Sequence, residues 1–303
     1  MNTRVISCTL LLPTDYQLQD ILSFHVRDAQ AVAEAVYANH LHKGIIWQGS
    51  PACLALRFLS QGAEIELSID HPLASLEVDE LSTLAVRMLG LNQPIDVFEE
   101  SLGQHPQLGM LINQQAGLRV PVLASPFEAL SWAITGQQIS VAAAISIRRK
   151  FIQQVGLQHS SGLYCYPDAQ HVATLHIDDL RRVGFSQSKA QTLLTVSQMI
   201  VSGDLVLNYS QKEPPIEQIR QQLLTIRGIG PWTVNYTLLR GYGWLDGSLH
   251  GDAAVRRGLQ ILLKNIEPME ENQTRQWLEN FAPWRALVAA HLWKLVSAAG
   301  KEA

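Results

Sequence analysis

Residues Gln221–Leu259 read QQLLTIRGIGPWTVNYTLLRGYGWLDGSLHGDAAVRRGL, a run that contains two close glycines, a proline and a later Gly-Asp pair. An apolar helical pattern breaks at Gly228-Ile229-Gly230 and resumes at once with Pro231. Two glycines two positions apart permit backbone angles that other residues avoid. Proline suits the first turn of a helix, where its missing N–H costs nothing. The stretch therefore predicts a helix-hairpin-helix over residues 216–241, whose free backbone amides suit one phosphate of a nucleic acid backbone.

The hairpin is followed by an aspartate at a helix start and is surrounded by several cationic residues. Gly251-Asp252 opens another helical run, and an aspartate at a helix start is most often simply an N-cap. The net charge of −4 counts modestly against a nucleic-acid partner. Six cations nevertheless flank the hairpin and the next helix: Arg220, Arg227, Arg240, Arg256, Arg257 and Lys264. They predict a local positive face for a phosphate backbone, the alternative being an ordinary solvated face.

Three motifs together resemble a known family. The hairpin with its trailing Gly-Asp is accompanied by SPFEALSWAITGQQISVAAA at Ser125–Ala144 and APWRALVAAHLWKL at Ala282–Leu295. The set resembles the helix-hairpin-helix DNA glycosylases, and within them the bacterial 3-methyladenine DNA glycosylase II group (AlkA type). The resemblance implies a monofunctional DNA glycosylase of base excision repair. Such an enzyme flips alkylated purines of the 3-methyladenine and 7-methylguanine type out of duplex DNA and releases them by hydrolysis.

The resemblance also implies roles for particular residues. Asp252 would be the catalytic carboxylate, which stabilises an oxocarbenium-like sugar and orients the attacking water. Trp232 stands where bifunctional relatives such as 8-oxoguanine DNA glycosylase carry a lysine, and an indole cannot form a Schiff base. Trp232, Trp293, Tyr236 and Phe24 would form a base pocket that favours electron-poor methylated bases. The alternative is that these aromatic residues belong to the core.

DNA contacts are expected from the hairpin and from the loop after the Ser125 helix: Gly228, Gly230, Thr233, Gln137, Gln138, Ser140 and Arg227. Gln138 aligns with the residue that fills the gap left by a flipped base. Ala253 and Ala254 stand where the best-known members carry tyrosine and leucine, which predicts a roomier pocket. His250 is interpreted as a surface or phosphate-facing residue. Deaminated, etheno or oxidised bases, or DNA binding without catalysis, remain alternative functions.

No cofactor is expected to be required. The resemblance implies a monovalent cation at the hairpin, held by the backbone carbonyls of Leu224, Ile226 and Ile229. The three cysteines, Cys8, Cys53 and Cys165, are far apart, so no iron–sulfur cluster is expected. The N-terminal apolar run is too short for a signal peptide, and no stretch reaches membrane-spanning length. We therefore expect a cytoplasmic monomer whose partner is damaged double-stranded DNA.

The 303 residues predict two domains and a mainly α fold. Residues 1–94 are predicted to form an α+β domain, an antiparallel sheet with two helices, similar by resemblance to half of TATA-binding protein. Its strands are predicted at Arg4–Leu12, Leu54–Phe58 and Ala63–Ile69, and its helices at Asp28–Tyr37 and Leu76–Leu89. Residues 95–303 are predicted to form a helical glycosylase bundle. Its predicted helices include one starting at Ser125, then Val141–Gln154, Ala169–Leu175, Ile177–Val183, Ser188–Ser202, Ile216–Thr225, Ala253–Leu263 and Gln273–Ala299.

Overall fold

A computed structural model describes residues 4–71, 78–208 and 214–299. The first part is an antiparallel sheet of five strands: β1 Arg4–Leu11, β2 Glu34–Tyr37, β3 His40–Trp47, β4 Ser50–Phe58 and β5 Gly62–Ile69. The strand order is β1-β5-β4-β3-β2. Two helices accompany the sheet, α1 Leu18–His25 and α2 Val78–Met88. The predicted antiparallel sheet with two helices is thus confirmed, although the first two residues of the helix predicted at Leu76–Leu89 lie outside the described residues.

One face of the sheet forms the core of this part. Leu54 and Leu56 of β4 and Leu67 of β5 are fully buried, because alternate residues of a strand face the same side. Leu22 of α1 and Leu81 of α2 pack against them. Burying both helices against one sheet face fixes the register of the strands, since a slip by one residue would turn the apolar side chains to solvent.

The helix predicted at Asp28–Tyr37 is wrong. Residues 34–37 form β2, which pairs with β3 through the two-residue turn Ala38-Asn39. Buried Glu34 of β2 accepts a hydrogen bond from Lys43 Nζ of β3 at 2.5 Å, a tertiary contact that an isolated helix would not provide. Helix α1 and strand β3 were not predicted. Pairing across the sheet therefore overrides the helical preference of the alanines.

The rest of the described chain is helical. The helices are α3 Ile95–Leu102, α4 Gly109–Gln114, α5 Pro126–Gly136, α6 Val141–Val155, α7 Ala169–Ala173, α8 Ile177–Arg182, α9 Gln187–Ser202, α10 Ile216–Leu224, α11 Pro231–Tyr242, α12 Ala253–Leu262, α13 Glu271–Glu279 and α14 Arg285–Ala299. The single helix predicted at Gln273–Ala299 is wrong. The chain breaks before Pro283, which lacks an N–H and disfavours helical angles in the residue before it.

Helix α11 runs between two apolar cores. Val234 and Leu238 pack into a core shared with α9 and α10, whereas Leu239 packs into a core shared with α12 and α14. Gly241 lets α11 approach α5 closely, because a Cβ there would lie 3.1 Å from Pro126 Cα. The hairpin and the start of α12 are thereby held in fixed relation. The domain boundary at residue 94 stays a prediction. None of the helices in the described ranges is long and apolar enough to cross a membrane.

Candidate active site

Asp252 is the N-cap of α12, as its position in the sequence predicts. Its Oδ1 accepts hydrogen bonds from the backbone N–H of Ala254 at 2.9 Å and of Val255 at 3.1 Å. These two amides would otherwise be unsatisfied donors at the helix start. Asp252 is only half-buried. The carboxylate is thus held rigidly by a helix terminus without being sealed from solvent.

Two indole rings also hold this carboxylate. Trp293 Nε1 donates to Oδ1 at 3.1 Å, and Trp232 Nε1 donates to Oδ2 at 3.0 Å. Together with the two amides, Asp252 accepts from four N–H donors, a pattern that suits a carboxylate anion, which can only accept. Oδ1 has three of these donors and Oδ2 has one, so Oδ2 retains capacity for a further contact. The two tryptophans therefore position Asp252 in addition to offering ring faces.

An aromatic wall extends from Asp252. The rings of Trp232 and Tyr236 lie 5.3 Å apart, and those of Tyr236 and Trp293 lie 6.2 Å apart. Trp132 of α5 extends the wall, because its Nε1 donates to the Tyr236 hydroxyl at 2.9 Å. Tyr236 is buried in an apolar core, and Trp232 and Trp293 are half-buried at the edge of the same core. No pattern in the sequence distinguishes Trp132, because its position depends on how α5 packs against α11.

Arg240 lies within this wall and not on the surface. It is 6% exposed, and its guanidinium carbon lies 5.3 Å from the Trp293 ring centre and 4.5 Å from that of Phe24. Nη1 donates to the Pro121 carbonyl at 2.9 Å. Burial lowers the pKa of Arg240 to about 10, with the nearby Tyr236 acting in the opposite direction. Arg240 was predicted to join the positive face at the hairpin, and that prediction is wrong.

Phe24 of α1 reaches the same site from the sheet domain. Its ring is buried and contacts two guanidinium groups, Arg240 and the exposed Arg27, the latter at 4.4 Å. Such cation–π contacts indicate an electron-rich ring face that favours positive charge. The predicted pocket residues are therefore brought together from three helices: Phe24 from α1, Trp232 and Tyr236 from α11, and Trp293 from α14.

The hairpin requires glycine at its first position. Gly228 has φ +90°, and a Cβ there would lie 2.2 Å from Thr192 Oγ1 of α9. Thr192 Oγ1 in turn donates to the Arg227 carbonyl at 3.1 Å. Gly230 differs, since a Cβ there would meet nothing within 4 Å. Space beside Gly230 is what the close approach of a ligand backbone requires.

The loop between α5 and α6 lies against the hairpin. Gln137 Nε2 donates to the Gly228 carbonyl and to Thr233 Oγ1, both at 2.9 Å. Lys189 of α9 holds the loop in place by donating hydrogen bonds to the carbonyls of Thr135 and Gln137. The sequence did not indicate this role. Gln137 and Thr233 therefore link the two segments that are predicted to contact DNA.

Two residues at the tip of this loop face solvent. Gln138 is exposed with φ +55°, a left-handed conformation that is uncommon for a residue other than glycine. Ser140 is the N-cap of α6, where its hydroxyl accepts from Ala143 N at 3.2 Å. A side chain held outward on a constrained backbone is the geometry expected of a wedge residue, and the role of Gln138 remains a prediction.

The remaining predicted surface residues are distributed unevenly. Arg227, Arg257 and Lys264 are exposed, whereas Arg220 pairs with Glu217 of its own helix. Arg256 is half-buried. His250 is half-buried as well, and its Nδ1 lies 2.8 Å from Ser248 Oγ. Burial lowers the pKa of His250, with nearby Glu271 opposing the shift. A positive face therefore exists beside the hairpin but is smaller than predicted.

The fold and site together define a class of protein. Residues 131–283 match the model of the HhH-GPD superfamily base excision DNA repair proteins. The match begins within α5, ends at Pro283 and contains the hairpin, Trp232 and Asp252. The chain belongs to the HhH-GPD superfamily of base excision DNA repair proteins.

Individual relatives are similar at modest identity. The chain is 30% identical over 188 residues to DNA-3-methyladenine glycosylase 2 of Escherichia coli, a match that covers 61% of this chain and 63% of that protein. The solved structure of a 3-methyladenine DNA glycosylase from Archaeoglobus fulgidus has a TM-score of 0.79 at 20% identity, covering 96% of this chain and 98% of that one. An 8-oxoguanine glycosylase/lyase of Clostridium acetobutylicum bound to DNA has a TM-score of 0.73 at 14% identity, covering 100% and 99%. The two structural matches establish the fold.

Proposed function

We propose that this chain is a monofunctional DNA glycosylase of the 3-methyladenine DNA glycosylase II type. It would flip an alkylated purine out of damaged duplex DNA and hydrolyse the bond between that base and its sugar. The observation that carries the proposal is Asp252, held by two indoles and two amides at the end of an aromatic wall. The name of the Escherichia coli relative supports the substrate class.

The chemistry follows from the position of the carboxylate. The bond between the sugar C1′ and the base nitrogen breaks, and its electron pair leaves with the base. The sugar becomes an oxocarbenium-like cation, which the fixed negative charge of Asp252 stabilises. Water then adds to C1′ and its proton passes to Oδ2 or to solvent, leaving a free base and an abasic site. Because an alkylated purine already carries positive charge, its departure needs little acid catalysis.

The absence of strand cleavage is proposed from Trp232. Its indole nitrogen is neutral and donates its N–H to Asp252, so it has no lone pair with which to attack C1′. The amine of Lys189, which supports the loop between α5 and α6, donates to the carbonyls of Thr135 and Gln137. If strands were nevertheless cut, Lys189 would be the first amine to replace.

The hairpin would hold one DNA phosphate, with Gly230 and Arg227 exposed to it. A monovalent cation at the carbonyls of Leu224, Ile226 and Ile229 fits this turn. The Ile226 carbonyl accepts only the Ile229 N–H at 3.0 Å among the described backbone contacts, and a carbonyl oxygen has two lone pairs. Such a cation would supply positive charge for binding an anion at the hairpin and would take no part in bond breaking. We further propose a cytoplasmic monomer without an iron–sulfur cluster or other required cofactor.

The test is base release from randomly methylated duplex DNA by the wild type and by Asp252→Asn. We expect the wild type to release methylated purines with strands that stay intact until alkali is added. The variant should bind the same DNA but release no base. Strand breaks without alkali, or a product trapped by borohydride, would contradict the monofunctional proposal. Unchanged release by the variant would remove Asp252 from the mechanism, and no release by either protein would favour another lesion or a binding protein.

A further inference from the structure

Two guanidinium groups contact the ring of Phe24, and they differ in exposure. The guanidinium carbon of Arg27 lies 4.4 Å from the ring centre, and that of Arg240 lies 4.5 Å from it. Arg240 is buried, whereas Arg27 is exposed and also lines a small cavity beside Phe24 and Trp132. A base that approaches Phe24 from solvent therefore meets the guanidinium of Arg27.

Neither of these two arginines is neutralised by a carboxylate. Among the residues that the structure describes, neither guanidinium forms an ion pair. Arg240 donates to a neutral acceptor, the Pro121 carbonyl, at 2.9 Å. Burial lowers the pKa of Arg240 to about 10, and the positive charge of Arg27 adds to this shift while Tyr236 opposes it. The two arginines are therefore close enough to repel each other.

The other charged groups near the cavity balance one another. Three carboxylates and three cations pair at nitrogen–oxygen distances between 2.5 and 3.1 Å: Asp28, Glu34, Glu128, Lys43, Arg148 and Arg149. Burial lowers the pKa of the neighbouring His25, with Glu34 opposing the shift, so this ring adds no charge near neutral pH. The charges of Arg27 and Arg240 therefore remain, and the Phe24 end of the site is positive.

We propose that the site accepts neutral purines with a 6-oxo group, and that Arg27 favours them over positively charged bases. This inference rests on the glycosylase function proposed above, with Phe24 in its base pocket. The attraction of the Phe24 ring for positive charge is already taken up by the two guanidinium groups. Arg27 has N–H donors and no acceptor, so it can donate to the O6 atom of a neutral base. It repels a base that carries a positive charge.

Arg27 also acts on the base as it leaves. When the bond between C1′ and N9 of a neutral purine breaks, the electron pair leaves with the base, which is an anion until it takes a proton from water. A guanidinium that donates to O6 stabilises this negative charge. A positively charged base becomes neutral as it leaves and gains nothing from Arg27. Trp293 contacts Asp252 through its N–H and Arg240 through its ring, so the site places negative charge at the sugar and positive charge at the base.

The experiment compares two duplex DNAs, one with a single hypoxanthine and one with a single 7-methylguanine. Both bases have a 6-oxo group, but only 7-methylguanine is positively charged in DNA. In Arg27→Gln the ratio of hypoxanthine release to 7-methylguanine release in single turnovers should fall about tenfold, the size of one lost hydrogen bond from a charged donor. Arg27→Lys keeps the charge and should keep a ratio close to that of the wild type. Arg57→Gln is the control for lost positive charge, since Arg57 is exposed on β4, where it pairs with Glu64.

The outcomes separate this inference from the function beneath it. The inference alone is overturned if Arg27→Gln keeps the wild-type ratio, or if the wild type releases 7-methylguanine and no hypoxanthine. It is also overturned if Arg57→Gln lowers the ratio as much as Arg27→Gln, or if Arg27→Lys does, since shape and not charge would then be the cause. Release of hypoxanthine alone by the wild type supports the inference and overturns the alkylated substrate of the proposed function. Release of neither base overturns both.

Discussion

The indole N–H of Trp293 donates to Oδ1 of Asp252 at 3.1 Å, joining α14 to the start of α12. This contact gives the tryptophan two separable functions, because the ring can stack on a base while the N–H orients the carboxylate. Phenylalanine retains a ring and loses the donor. Replacing Trp293 by phenylalanine therefore removes only the hydrogen bond to the charged carboxylate of Asp252.

Trp293→Phe should therefore slow turnover more than it weakens DNA binding. We expect single-turnover base release to fall about 10-fold to 100-fold, the range for one hydrogen bond to a charged group. Trp277→Phe on α13 is the matched control, since its indole also donates a hydrogen bond, to Gln107, away from the site. A turnover loss no larger than that of the control would show that the Asp252 contact is not used.

The two hairpin glycines should respond differently to alanine. Gly228→Ala places a Cβ against Thr192 at a φ of +90°, so we expect a loss of about 1–3 kcal/mol in the free energy of unfolding. Gly230→Ala meets open space at φ −101°, an angle that alanine adopts, so the fold should be unaffected. Its DNA affinity should nevertheless fall, because the methyl group occupies the side that a phosphate approaches. Urea unfolding and DNA titration of both variants make the comparison, and equal DNA affinity for Gly230→Ala and wild type would contradict it.

Gln138→Gly should change stability and activity in opposite directions. Removing the side chain relieves a left-handed backbone at φ +55°, which should stabilise the fold by about 1 kcal/mol. Base release from duplex DNA should fall because nothing then fills the gap in the base stack. Gln48→Gly is the control for the backbone, since exposed Gln48 has φ +47° in the turn between β3 and β4. Loss of base release in both variants, or in neither, would argue against a wedge role.

Local patterns were sufficient to predict the hairpin and the cap at Asp252. The Gly228-Ile229-Gly230-Pro231 run and the Ser125-Pro126 start depend on backbone angles and capping, which neighbouring residues determine. The structure has helices beginning at Pro126 and Pro231 and a helix capped by Asp252. Turns and helix caps that depend on neighbouring residues can therefore be predicted without knowing any contact between distant parts of the chain.

Contacts between distant segments could not be predicted in this way. The basic run around the hairpin gave no sign that Arg240 points inward, because its direction depends on Phe24 and Trp293, far away in sequence. The strand at residues 34–37 depends on Lys43 and the sheet. The carboxylate contacts of Trp232 and Trp293 depend on how α11, α12 and α14 pack against each other.

His291 should make the fold sensitive to acid. It is buried on α14, its Nδ1 lies 2.9 Å from Gln115 Oε1, and its ring stacks on Phe98. Burial lowers the pKa of His291 to about 3, and the charge of Lys294 adds to the shift. Between this value and an unfolded pKa of about 6.5, the unfolded chain binds a proton that the folded chain does not. Stability contributed by the neutral ring is therefore complete above pH 6.5 and is lost as the pH falls toward 3.

His291→Gln removes the titrating group and keeps an amide that can bond Gln115. The variant should be less stable at pH 8 because it loses the stack on Phe98. Between pH 6.5 and 4.5 its free energy of unfolding should decline by roughly 2 kcal/mol less than that of the wild type, since one proton per pH unit is worth about 1.4 kcal/mol. Urea unfolding at both pH values measures the difference, with all other titrating groups common to the two proteins. Equal declines of the free energy of unfolding in the two proteins would mean that His291 is protonated in the folded state. The apolar core into which α14 packs would then tolerate a charge.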